Sequence, residues 1–191
     1  MKKLKYNRAG LTFVELLVAL MVCSIIFAAV ATLAFAMGNA QRDSDEQSTH
    51  QAQLRYATLR ITELLRYSKY TVLAGDDLAI WRADDNLDGK IDPSEIVYIE
   101  AGAGRNHIYI LDFPDAAGEV LLAALKDGSA KTSLIASYDE RRVEVLPQCS
   151  NVVFEPATID ENTSFVGIGF DLDEAGATRH YEISAYLRCR D

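Results

Sequence analysis

The chain has 191 residues, a net charge of −9 and an apolar share of 49%, which allows one membrane span and one domain of about 120 residues. So acidic a chain excludes general nucleic-acid binding, because neutralising phosphates takes clustered Lys and Arg. The histidines, His50, His107 and His180, show no metal-ligand spacing. With no nucleophile elbow and no phosphate loop either, no enzyme is expected.

In chain order, a basic leader comes first, with Lys2, Lys3, Lys5 and Arg8 ahead of Gly10. Residues 16–37 then hold no charge, and a helix of that length crosses a bilayer. Basic residues before the span and few after it place the N-terminus in the cytoplasm and the body outside. Glu15 stands alone at the lip of the apolar run. A carboxylate there is costly, roughly 2.5–3.5 kcal/mol at the bilayer centre and less near an edge. Without the four basic residues of the leader the charge falls to −13.

Gly10, Leu11, Glu15 and the apolar run to Met37, behind a basic leader, resemble the class III signal of type IV pilins and type II secretion pseudopilins. An ordinary secretory signal is cut after its apolar region, not before it. The resemblance implies a prepilin peptidase that cuts between Gly10 and Leu11, followed by N-methylation of Leu11. It also implies other pilin or pseudopilin subunits as partners, with Glu15 offsetting the new amine of a neighbour. The expected location is the inner membrane, as a single-pass protein with a periplasmic body, and then a pilus or pseudopilus. Leu11 stands where the family most often has Phe. Thr32 stands where many major pilins carry a helix-bending Pro, which argues for a minor component. The alternatives are a major pilin, or a membrane-anchored calcium-binding or adhesin module that never assembles.

The sequence divides into a leader (1–10), a transmembrane assembly helix (11–37), an amphipathic outer helix (38–74) and an antiparallel β-rich domain (75–191). Between residues 40 and 70 there is no Pro and no Gly. Leu54, Ala57, Ile61, Leu64, Leu65 and Ser68 recur at steps of three and four, the stripe of a helix that lays one face on a domain. Helix is expected to Tyr70, with Gly75-Asp76-Asp77 as its end. Period-two patterning then predicts strands at 78–81, 96–99, 108–111, 143–146, 152–154, 165–171 and 181–188, with a short helix at 119–126. A helix followed by antiparallel strands is an α+β arrangement. This order, with Arg55, Arg60 and Arg66 on the outer turns, resembles the minor pseudopilin of the J type and its minor pilin relatives.

Residues 84–95 read Asp-Asp-Asn-Leu-Asp-Gly-Lys-Ile-Asp-Pro-Ser-Glu and match the 12-residue EF-hand calcium loop. Asp84, Asn86 and Asp88 fall at positions one, three and five, and Gly89 at six permits the sharp turn. The Lys90 carbonyl falls at seven, Asp92 at nine and Glu95 at twelve. Ile91 at eight pins the loop inward. Hard oxygens in that number suit Ca²⁺ in a structural role. The flanks read as strands, so the loop is expected in a hairpin rather than between helices. The competing reading is an acidic turn, shaped by its Asn, Asp and Gly, that binds nothing.

Cys23 lies in the apolar run and acts as a small apolar side chain. Cys149 and Cys189 lie in the exported body, where disulfides persist. Cys149 opens one strand and Cys189 closes the last, so antiparallel neighbours would bring them together; the bridge would stabilise by about 4 kcal/mol on the chain-entropy argument, and the competing reading is two free buried thiols.

Overall fold

A computed structural model describes residues 12–159, 163–174 and 176–187. The chain divides into two compact units, Met1–Thr49 and His50–Asp191. The first helix, α1, is Phe13–Arg66. It runs through Gly38, where an added Cβ would meet nothing within 4 Å.

In the first unit the apolar side chains of α1 point outward on every side, Phe13, Phe27 and Phe35 among them. The helix is long and apolar enough to cross a membrane. A helix apolar all round belongs in lipid or in a bundle. Its polar side chains do not spoil that surface. The Ser24 hydroxyl donates to the Met21 carbonyl at 2.8 Å, and Thr32 Oγ1 to the Ala29 carbonyl at 2.9 Å. Satisfied in this way, the hydroxyls bring no unmet donor into an apolar setting.

In the second unit the last turns of α1 bury Ala57, Ile61, Leu64 and Leu65, the stripe that the spacing predicted. The helix stops at Arg66, short of the expected Tyr70. The Ser68 hydroxyl donates to the Leu65 carbonyl at 2.8 Å and pairs with Thr71 Oγ1 at 2.9 Å. The aromatic and β-branched run that follows becomes strand β1, Tyr70–Ala74, a strand that the sequence reading gave to the helix.

Four more strands follow: β2 (Asp77–Trp81), β3 (Ile96–Glu100), β4 (Ile108–Asp112) and β5 (Arg141–Leu146). With β1 they form a five-stranded antiparallel sheet in sequence order. Helices α2 (Leu122–Lys126) and α3 (Ser129–Ser137) interrupt it between β4 and β5; α3 was not predicted. Strands β6 (Cys149–Glu155), β7 (Phe165–Glu174) and β8 (Ala177–Tyr186) form a second, three-stranded antiparallel sheet. The α+β class expected from the pattern is the one observed.

Two cores result from strand alternation. Leu78, Ile80, Val97 and Ile99 face the α1 stripe and the inner face of the second sheet, which supplies Val166, Ile168, Phe170 and Ile183. Ala79, Ile96, Tyr98 and Leu111 face the other way, toward Phe113 and the Leu125 and Leu134 side chains of α2 and α3. Leu65 is fully buried. Leu65→Ala should therefore cost about 2–5 kcal/mol, read as a lower urea midpoint.

The second sheet departs from the arrangement expected around the cysteines. Cys149 pairs with Leu172 of β7, which pairs with Arg179 of β8. Strands β6 and β8 are thus the outer strands of the sheet and run parallel. The chain leaves β8 beyond Tyr186, paired to Phe165, about 23 Å along the strand from Arg179 at ~3.3 Å per residue. The antiparallel neighbours behind the expected bridge are absent from this sheet. Cys189 itself lies outside the described residues. Burial pushes the Cys149 thiol up to about 11.

Candidate functional site

Two places concentrate the chemistry that the sequence singled out. The first is the start of α1. Thr12 precedes the first helical residue, and its side chain and that of Glu15 clasp each other across the first turn. The Thr12 N–H and hydroxyl donate to Glu15 Oε2 at 2.9 and 3.0 Å, and the Glu15 N–H donates to Thr12 Oγ1 at 3.3 Å. This is a reciprocal capping box, which satisfies donors that a helix start otherwise leaves open. The sequence reading reserved Glu15 for a neighbour's amine and missed the intramolecular partner, although Thr-x-x-Glu is its signature. Gly10 and Leu11 lie outside the described residues.

The second place is the loop between β2 and β3. Asp84 is buried, and its carboxylate accepts from the backbone: the Asp88 N–H donates to Oδ1 at 3.1 Å and the Gly89 N–H to Oδ2 at 3.2 Å. Lys69 Nζ also donates to Oδ2, at 2.8 Å. The Lys69 ammonium, ahead of the backbone donors, holds the Asp84 carboxyl below the usual range. Asn86 Nδ2 reaches both Asp88 Oδ2 and Asp92 Oδ2, at 3.1 and 3.0 Å. Positions three, five and nine are therefore drawn onto one another.

Glu95 closes the loop from its far end. It is 2% exposed, in the 3-10 turn Pro93–Glu95. Oε1 accepts the Asp85 N–H at 2.6 Å, while Oε2 accepts Trp81 Nε1–H at 2.9 Å and the Asp92 N–H at 3.3 Å. The Lys90 side chain turns outward to Glu119 Oε2 at 2.8 Å. Ile91 is buried in the α2–α3 core, and its carbonyl accepts the Val120 N–H at 2.8 Å. The flanks are strands, so the loop sits in a hairpin.

The donor set is all oxygen, as a hard cation wants. Among the described residues no three His, Cys, Asp or Glu side chains are arranged ready to hold a metal. Lys69 donates to Asp84, and the Asn86 amide to Asp88 and Asp92, so carboxylate oxygens that a cation would need already have partners. The charge cost is visible too. Burial, then Asp88, Glu95, Asp84 and Glu119, push the Asp92 carboxyl upward. A carboxyl whose folded pKa is raised destabilises the fold above that pKa and ceases to do so as pH falls through it. Asp92→Asn should therefore raise the melting temperature at pH 7 in EDTA, measured by circular dichroism.

Leu87, at position four, holds φ +60° and is 84% exposed. The left-handed region costs a non-glycine residue about 1–2 kcal/mol, and Asn tolerates it better than Leu. Leu87→Asn should stabilise the chain by about 0.5–1 kcal/mol in urea unfolding.

A family model described as "Prokaryotic N-terminal methylation motif" matches residues 5–31. No curated protein and no solved structure matches the chain. The chain thus carries a prepilin signal of the type IV pilin and pseudopilin kind. The long helix packing its last turns on antiparallel sheet is a pilin-like α+β arrangement. The motif supports a pilin-type or pseudopilin subunit processed by prepilin peptidase, and it points to a structural rather than an enzymatic role. It implies contact with other pilin subunits in general, and with the apolar helix it fits a membrane-anchored pilin.

Proposed function

We propose that the chain is a minor subunit of a type IV pilus or type II secretion pseudopilus, most like the J-type component. The observation that carries this is the prepilin motif set on an apolar helix exposed all round. Such a surface needs lipid before assembly and other helices after it. In the membrane the N-terminus faces the cytoplasm and the body the periplasm, following the basic leader. In the filament Glu15 exchanges its Thr12 partners for the N-methylated amine of a neighbour. Thr32 in place of Pro supports a minor rather than a major role, since it keeps the helix unbroken.

Residues 84–95 take Ca²⁺ as a structural ion, through Asp84, Asn86, Asp88, the Lys90 carbonyl, Asp92 and Glu95. The spacing supports this, as does the crowding of negative charge that pushes Asp92 upward. A bound cation would relieve that crowding.

Quantitative mass spectrometry of sheared filaments tests the assembly role. This subunit should be present in far fewer copies than the principal one. Dominance would make it a major pilin, and absence would leave a membrane-anchored module.

A further inference from the structure

We propose that Lys69 is the loop's own cation, competing with a divalent ion for Asp84 and so setting how tightly the loop takes that ion. The inference rests on the calcium reading of residues 84–95. Lys69 comes from outside the loop, in the turn between α1 and β1. Its backbone is fixed, because its N–H donates to the Trp81 carbonyl at 2.9 Å. From there its Nζ lies 5.0 Å from the centre of the Trp81 ring and 2.8 Å from Asp84 Oδ2. The Asp84 side chain is 5% exposed and that of Lys69 45%, so the carboxylate is shielded while the ammonium keeps a solvent-facing side from which it can be displaced. Two further cations at the loop meet carboxylates other than the six proposed ligands. Arg82 pairs with Asp85 and Lys90 with Glu119, each at 2.8 Å.

One carboxylate oxygen cannot serve an ammonium and a divalent ion at full strength. A charge-assisted hydrogen bond is about twice as strong as a neutral one, so displacing Lys69 weakens binding. Trp81 should report the exchange. Its ring carries the Lys69 ammonium and its Nε1–H donates to Glu95 Oε2, so both ends of the loop meet one indole. It is the single tryptophan of the chain.

The test is calcium chloride titration of the full chain in detergent micelles, by calorimetry and by Trp81 emission, for wild type, Lys69→Met, Lys69→Gln and Lys69→Arg. Methionine keeps an apolar stem over the ring and removes the charge. The Met and Gln variants should bind about tenfold more tightly than wild type, with Arg near wild type and Trp81 emission shifting on binding. Binding by Met and Gln alone, with none by wild type, would support the proposal in its strongest form. Equal or weaker binding by both neutral variants would overturn the role of Lys69 and leave the calcium loop standing. No binding by any of the four would overturn the calcium reading and this inference with it.

Discussion

Glu15→Leu should leave the protein cut and folded but reduce its share of filaments by about 100-fold or more. The body lies in a separate unit, so its fold does not depend on the first turn of α1. Within that turn the variant loses the reciprocal bonds with Thr12, a capping loss of about 0.5–2 kcal/mol. The larger cost arises on assembly. A neighbour's amine buried among apolar helices without its carboxylate costs about 3–5 kcal/mol, and each 1.4 kcal/mol is roughly tenfold in an equilibrium. Immunoblots of sheared filaments against membranes give the ratio. Incorporation at the wild-type level would remove Glu15 from the assembly mechanism.

Glu95→Ala should destabilise the body by about 3–5 kcal/mol and abolish its response to calcium. The carboxylate is buried and accepts three N–H groups, from Trp81, Asp85 and Asp92. Hydrogen bonds to a charged group contribute about 1.5–3 kcal/mol each, and a donor left buried and unmet costs about 1–3 kcal/mol. Some of these donors will find water, which holds the total below the sum. In wild type, calcium at 100 times its dissociation constant should add about 2.7 kcal/mol. Urea unfolding in EDTA and in calcium separates the two effects. A variant with wild-type stability in EDTA would show that Glu95 does not clasp the loop, and a retained calcium response would remove it from the ligand set.

The sequence announced what depends on local pattern. The signal is a matter of order and charge, the α1 stripe of steps of three and four, and the late strands of period two. What it concealed depends on distant partners. Tyr70 to Ala74 followed a strong helix without a breaker, so only the Ser68 contacts reveal that the chain has turned. Ser-Ala-Lys-Thr-Ser-Leu-Ile-Ala-Ser carries a single weak stripe, Ala130 and Leu134, and α3 became visible only once a sheet lay beneath it. Nor does the pattern within β6 and β8 say that β7 lies between them, which is what separates Cys149 from the end of β8. The loop was legible as spacing, whereas the Lys69 and Trp81 contacts that govern its oxygens come from outside the twelve residues. Thr12, by contrast, is legible through Thr-x-x-Glu, a local signature that needs no distant partner.

Prepilin processing is the step on which the pilin reading depends. Intact mass and N-terminal sequencing of the protein purified from its native membrane test it most directly. The purified chain should begin at N-methylated Leu11, with the apolar helix retained. A chain still beginning at Met1 in cells that contain the peptidase, or one cut after the apolar run, would contradict it.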